Sequence, residues 1–399
     1  MISIGQIHSL NDRSVHVDLI NALSNKGHNI DLVCTREKRL RKKTEYVNEK
    51  GVNILRLRIG NITNCGLIEK TLSTLKIDGQ FINGIGEYFG DKHYDILLYG
   101  TPPITFANVI KYCKNRFGCR SFLMLKDIFP QNAVDIGLLN IKGLSGLVYR
   151  YFRRIEKKLY EYSDAIGCMS QANIEYLIKH NTEVNPKKVI LFPNTITPRP
   201  FKGKLTDGNF RRHLHIGNEE LIFLFGGNLG KPQGIDFLID AIKACHFLKQ
   251  VHFLIVGDGT EAEKIKDKLY DAHFVHFFKS LPSNQYDQLL EECDVGMVIL
   301  DYRFTIPNYP ARILSYMEHA MPVLAATDIN TDIKQLVTVD ALCGKWSHSA
   351  NIHSFVENVQ WFLNNKEKLN ELGLNGRKYL EKNFHTDVSV SILENLFRN

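Results

Sequence analysis

The sequence predicts an α/β protein of two doubly wound domains, and three observations predict it. Apolar runs of strand length alternate with amphipathic stretches of helix length along the 399 residues. Runs such as 221–225, LIFLF, are apolar throughout, which suits parallel strands covered on both faces. The alternation stands on both sides of a stretch marked by Pro193, Pro198 and Pro200, a composition typical of a linker. The expected domains are therefore 1–195 and 196–384, with a cleft between them and a last helix in 385–399 that returns to the first domain.

The elements follow in order. Residues 2–7 read as the first strand and 8–13 as a polar loop. Ser14 can cap a helix that runs to Lys26, and Gly27 ends it. Further strands are expected over 29–34, 53–57, 95–99, 121–125, 165–169 and 189–192. Gly100-Thr101-Pro102-Pro103 breaks the chain before a helix over 104–116. A long helix over 144–162 carries an apolar stripe of Val148, Tyr151, Phe152, Ile155, Leu159 and Tyr162. Arg150, Arg153, Arg154, Lys157 and Lys158 flank that stripe, so the helix either packs on its own sheet or rests on anionic lipid headgroups. The basic run Arg36, Lys38, Arg39, Arg41, Lys42 and Lys43 fits a solvated face as well as a membrane contact. In the second half, strands are expected over 221–225, 251–256, 274–277, 295–300 and 323–326, and the last helix over 386–397.

Composition narrows the function. With 44% hydrophobic and 23% charged residues, two ordinary cores can form. The first residues, MISIGQIHSL, lack the basic start and apolar core of a signal peptide, and no apolar run approaches the ~20 residues of a membrane span. Eight scattered cysteines without metal-ligand spacing read as reduced thiols, so a cytoplasmic protein is expected. A net charge of +7 is too diffuse to argue for nucleic acid, but suits anionic substrates or an anionic membrane surface.

The stretch 221–240, LIFLFGGNLGKPQGIDFLID, is the first candidate site. A buried strand is followed by Gly226 and Gly227, where the chain is expected to turn and let a ligand approach its backbone. Asn228, Lys231 and Gln233 come next, and then a helix with Ile235, Leu238, Ile239 and Ile242 on one face. A helix N-terminus with free N–H groups and a nearby lysine is suited to a nucleoside diphosphate. The glycines also fit a plain strand–helix joint, and no G-x-G-x-x-G is present. The second candidate is Lys126-Asp127, at the carboxyl end of the strand over 121–125, where open α/β sheets bind ligands. Asp127 also fits a simple turn cap.

These segments resemble the retaining glycosyltransferases of the large family 4. In the first half the likeness is carried by SNKGHNIDLV, the paired prolines after a strand, LKDIFP, IEKKLYEYSDAIGCMS and VILFPN. In the second it is carried by GGNLGKPQGIDFLIDA, FLIVGDGTEAEKI, the Leu281-Pro282 turn before YDQLLEECDVGMVIL, and YPARILSYMEHAMPVLA. Their order and spacing cover nearly the whole chain and look most similar to bacterial enzymes that build O-antigen and capsule units on a lipid carrier. The resemblance implies the GT-B fold, two Rossmann-like domains facing a central cleft.

It also implies roles. Gly226, Gly227, Asn228, Lys231, Gln233 and Arg312 would hold the donor diphosphate, and Lys126 and Asp127 would be catalytic. Asn11, Asp12 and Arg13 would lie on the acceptor side. The two glutamates of the family's Glu-x7-Glu pair would fall on Pro307 and Ser315, so Ser315 is left as the ribose contact. Positive charge and N–H donors at the departing diphosphate would serve without a metal or other cofactor. The implied partners are a nucleoside diphosphate sugar (UDP before GDP, of hexose or N-acetylhexosamine type), a polyprenyl-diphosphate-linked saccharide and an anionic membrane surface. The implied place is peripheral, at the inner face of the plasma membrane. The missing glutamates leave two other readings open: a non-catalytic subunit of the same fold, and a nucleotide-sugar epimerase.

Overall fold

A computed structural model describes residues 1–398 apart from 6, 8, 63, 64, 66, 102, 103, 202, 206 and 207. Gln6 of the expected first strand, His8 of the polar loop and the Pro102-Pro103 break lie outside the described residues. The chain divides into two compact units, Met1–Ile196 with Thr386–Asn399, and Thr197–His385.

The first unit is an eight-stranded sheet. Its strands are β1 Ile2–Ile4, β2 Asp31–Glu37, β3 Glu45–Glu49, β4 Val52–Ile59, β5 Ile96–Gly100, β6 Arg120–Leu125, β7 Ala165–Cys168 and β8 Val189–Leu191. The order is β3-β4-β2-β1-β5-β6-β7-β8. Only β3, paired with β4, runs antiparallel among the described strands. Apolar residues at 0–3% exposure, such as Leu32, Val33, Leu97, Leu98, Phe122 and Leu123, fill the strands because helices cover both faces. Ser14 caps the Val15–Asn25 helix by accepting from the Val17 N–H, as its sequence position implies. Val17, Ile20 and Leu23 of that helix are buried.

The second unit has strands β9 Leu221–Asn228, β10 Val251–Asp258, β11 Val275–Phe278, β12 Val295–Ile299, β13 Val323–Thr327 and β14 Gly344–His348. All pair in parallel, in the order β11-β10-β9-β12-β13-β14. This is the doubly wound order in which the crevice for ligands opens where the strand order reverses, at the carboxyl ends of β9 and β12. The Ile235–Ala244 helix buries Ile235, Leu238, Ile239 and Ile242 against Phe225, Ile255 and Met297 of the same core.

Several elements escape sequence reading. The strand β3 alternates polar and apolar too weakly to stand out, and β14 carries a lysine, a serine and a histidine. The helices Leu67–Phe89, Gln171–His180, Ile352–Asn364 and Leu369–Asn383 add to them. The last helix runs Thr386–Phe397 and sinks Val390 and Leu393 into the core of the first unit. Among the described residues no helix is long and apolar enough to cross a membrane.

Candidate functional site

In the second unit a pocket of about 440 Å³ opens at the carboxyl ends of β9 and β10. Gly226, Gly227, Asn228, Asp258, Ser280, Tyr286, Arg312 and Ser315 line it, with Val256, Gly257 and Leu281. Five of the residues singled out from the sequence thus meet in one place, although Arg312 and Gly226 are 86 positions apart in the chain.

The glycines act differently from the expected turn. Strand β9 continues through them, with Gly226 opposite Val256, Gly227 opposite Gly257 and Asn228 opposite Asp258. The reversal comes later, in the short Lys231–Gln233 helical turn ahead of Gly234, whose φ is 56°. What demands glycine is close approach. A Cβ on Gly226 would sit 1.9 Å from the Tyr286 hydroxyl, and one on Gly257 would sit 1.9 Å from the Gly227 carbonyl oxygen. Gly227 also has a φ of 123°, which favours glycine. Tyr316 holds the end of this strand, accepting from Gly226 N–H and donating to Leu224 O, each at 3.2 Å.

Arg312 opens the Arg312–Glu318 helix. Its guanidinium lies 4.5 Å from the Phe225 ring centre and donates through Nη2 to Gln233 Oε1. No carboxylate pairs with it among the described residues, and Nη1 is buried without a partner. Burial lowers its pKa from the usual value. A desolvated cation whose neighbours are an amide, two tyrosines and an aromatic ring is short of an anion. Gln233 reaches the site only through Arg312, and the exposed Lys231 does not line the pocket. Sequence reading missed Asp258, Ser280 and Tyr286, although Asp258 lies in the noticed Gly257-Asp258-Gly259 run.

In the first unit Lys126 and Asp127 stand at the carboxyl end of β6. They do not pair with each other. Lys126 Nζ donates to Asn194 Oδ1 at 2.6 Å and lies 5.6 Å from the Phe192 ring centre. The Asp127 carboxylate accepts from Asn132 Nδ2 at 2.7 and 2.8 Å. Thr101 Oγ1 ties the two together by accepting from both backbone N–H groups, at 3.1 and 3.2 Å. Burial lowers the Lys126 ammonium to about 7 and raises the Asp127 carboxyl to about 6. Both groups therefore titrate near neutrality, a condition suited to proton handling. His16, which sequence reading passed over, lies close enough to feel the Lys126 charge, and burial followed by that charge lowers it to about 4. Its Nε2 is 3.2 Å from Ser3 Oγ, and a Cβ on Gly5 would meet its ring at 2.0 Å. Asn11 and Asp12 are exposed and Arg13 half-buried, in the loop after β1 of the same unit.

Residues 207–379 match the family model described as glycosyl transferases group 1. The second unit carries a glycosyltransferase group 1 domain. The match to this domain spans every strand of the second sheet and the whole pocket. Two curated relatives agree with it. The chain is 24% identical over 246 residues to a probable glycosyltransferase, WbjE, of Pseudomonas aeruginosa, covering 61% of this chain and 60% of that protein. It is 21% identical over 248 residues, with the same two coverages, to WcaI, a putative colanic acid biosynthesis glycosyl transferase of Escherichia coli. The chain thus matches about 60% of the length of each of these relatives. Among solved structures, sucrose-phosphate synthase of Thermosynechococcus elongatus aligns with a TM-score of 0.77 at 15% identity, over 100% of this chain and 98% of that one. Anabaena HepE in complex with UDP-glucose aligns with a TM-score of 0.69 at 16% identity, over 100% and 99%. The fold beyond the group 1 domain is thus also that of GT-B glycosyltransferases.

Proposed function

We propose that the chain is a glycosyltransferase acting in bacterial surface polysaccharide synthesis. It moves a hexose or N-acetylhexosamine-type sugar from a nucleoside diphosphate, UDP before GDP, to a polyprenyl-diphosphate-linked saccharide, with retention at the anomeric carbon. Arg312 carries this reading. A half-buried guanidinium with no carboxylate partner among the described residues, its Nη1 buried and unbonded, faces a glycine-lined pocket at the switch point of a doubly wound sheet, and a diphosphate supplies the missing anion. The name of WcaI supports the polysaccharide context, and the UDP-glucose held by HepE supports the donor class.

The geometry supports the following roles. Arg312 and the backbone N–H groups near Gly227 and Asn228 stabilise charge on the departing diphosphate. Ser315, on the same helix as Arg312, contacts the ribose. Asp127, held by Asn132, orients the acceptor hydroxyl, and Lys126 stands beside it. This reading calls for no metal, because the cations are built into the chain. Leu144 is 85%, Leu147 56% and Tyr151 51% exposed at the start of the Gly143–Tyr162 helix, which supports a peripheral place on an anionic membrane. The test is a transfer assay with a panel of UDP- and GDP-sugars and a lipid-linked acceptor, followed by NMR of the product linkage. A retained linkage made from a UDP-sugar is expected. An inverted product, or an isomerised sugar without transfer, overturns the reading.

A further inference from the structure

The first unit holds a second pocket, of about 520 Å³, at the carboxyl ends of β2 and β4. Among the described residues it is lined by Lys38, Arg39, Arg41, Arg58, Asn61 and Glu69. Four cations therefore share the pocket with one carboxylate, Glu69, and one neutral amide, Asn61. The acids nearby are mostly engaged. Arg36 Nη2 takes Glu45 at 2.5 Å, and Arg56 takes Glu49 at 2.5 Å and Glu45 at 3.3 Å. Arg39 Nε takes Glu37 at 3.0 Å, and Glu69 accepts from Asn61 Nδ2 at 2.7 Å. Lys38, Arg41 and Arg58 have no carboxylate at ion-pair distance among the described residues.

Arg36 of β2 stands directly opposite Arg58 of β4, a like-charge pair across neighbouring strands. Arg41 is held in the left-handed region with a φ of 54°, which a non-glycine residue rarely adopts. Glu45 neutralises Arg36, which does not line the pocket, so the charge left uncompensated there is that of Lys38, Arg41 and Arg58, and it points to an anionic ligand. The backbone adds an ordered frame, with the Arg39 N–H donating to Asn61 Oδ1 at 2.8 Å.

We propose that this pocket binds a phosphate or diphosphate ester, borne either by the acceptor or by an anionic lipid headgroup. Forked guanidinium groups match phosphate oxygens in pairs. Strand β2 lies three places from β6 in the sheet, and neighbouring strands are ~4.8 Å apart, so the pocket is on the order of 14 Å along the same edge from Lys126-Asp127. A molecule with its hydroxyl at Asp127 can carry an anionic group to this pocket. The acceptor source rests on the function proposed above, whereas the anion site itself does not.

The test uses the full chain and inorganic pyrophosphate, followed by calorimetry. Pyrophosphate also suits the pocket of Arg312, so two sites are expected. The double variant Arg41→Gln, Arg58→Gln removes one site or weakens it at least tenfold, and Arg312→Ala removes the other. Both arginines of the double variant are exposed, and Lys38→Gln serves as a second variant with the same expected direction. A stoichiometry and affinity unchanged in both variants overturns the proposal. Flotation with phosphatidylglycerol vesicles separates the sources. Vesicle binding lost together with the pyrophosphate site supports the headgroup, and vesicle binding retained while that site is lost supports the acceptor. If UDP fails to bind while the pyrophosphate site still depends on Arg41 and Arg58, the donor reading falls and the anion site stands.

Discussion

The guanidinium of Arg312 and the carboxylate of Asp127 are placed by opposite logic. Arg312 is a half-buried cation with no carboxylate partner among the described residues, and Asp127 is a half-buried carboxyl that the Asn132 amide holds through both oxygens but does not neutralise. Removing Arg312 takes away the one cation that lines the pocket among the described residues. Arg312→Ala should therefore weaken UDP binding by ~1.5–3 kcal/mol, the range for charge-assisted bonds, as read by calorimetry. Lys231→Ala should weaken it less, because that side chain is exposed and outside the pocket lining; equal losses would return the lysine to the first rank. Asp127→Asn should lower turnover more than tenfold and leave UDP affinity within about threefold, as expected for loss of one positioned polar group. Turnover of the parent should rise with pH through about 6 as Asp127 ionises, and the variant should lose that limb. Stability should show the reverse sign. Because the folded Asp127 pKa is raised, its contribution is full at low pH and falls as pH climbs through about 6. Lys126 is lowered, so its contribution is full only above its ordinary range and falls as pH drops through about 7. Asp127→Asn should thus raise Tm relative to the parent at pH 7.5 and not at pH 4. The Asp127–Asn132 contact spans five positions, but the partnerships of the two cations are not local. Asn194 lies 68 positions from Lys126, and Gln233 lies 79 from Arg312.

Among the elements, the Gly143–Tyr162 helix shows best how much a sequence pattern conveys. Its amphipathic character was legible, and its span differs from the expected 144–162 by one residue. The division of the stripe was not. Leu159 is buried, while Val148 and Tyr151 are 43% and 51% exposed, so the first half of the stripe faces away from the sheet. The basic flank divides as well. Arg153 is held by Glu156 and Asn181, and Lys157 pairs with Glu183 at 2.9 Å, which leaves Arg150, Arg154 and Lys158 for any external anion. Each such residue near an anionic surface contributes about 1 kcal/mol. Leu147→Glu should therefore abolish flotation with anionic vesicles, and Arg154→Ala should weaken it at low salt. Equal recovery of parent and Leu147→Glu would separate the helix from the membrane. The basic run after β2 divides in the same way, since Arg36 turns to Glu45 while Lys38 and Arg41 line a pocket.

For the whole molecule, the chain's return to its first unit has the clearest energetic consequence. The Thr386–Phe397 helix buries Val390 and Leu393 in the core of that unit, and Phe397 meets Phe122 edge-on at 6.2 Å. Arg120 stacks over Phe397 at 4.6 Å and donates to Leu396 O at 3.3 Å. His28 Nε2 lies 3.1 Å from Glu394 Oε1. Leu393→Ala leaves a cavity in that core and should lower stability by ~2–5 kcal/mol in urea unfolding. The loss should appear in the transition of the first unit and leave UDP binding by the group 1 domain unchanged. A loss shared by both transitions would show that the units unfold together.

What the sequence by itself determined is what short-range physics encodes. Most of the strand and helix rhythm, the Ser14 cap and the last helix are set by residues within a few positions of one another, and these were legible. The pocket's location was legible too, because a buried strand followed by glycines marks the carboxyl edge of a parallel sheet. Tertiary structure decided the rest. It set why Gly226 is glycine, since the reason is a tyrosine 60 positions away. It also decided which cations are neutralised: Arg36, Arg56 and Arg153 meet carboxylates, and Arg312 and Arg58 meet none among the described residues. Of these, only the Arg153–Glu156 pair, three positions apart on one helix, follows from linear spacing; the other compensations depend on distances across the fold.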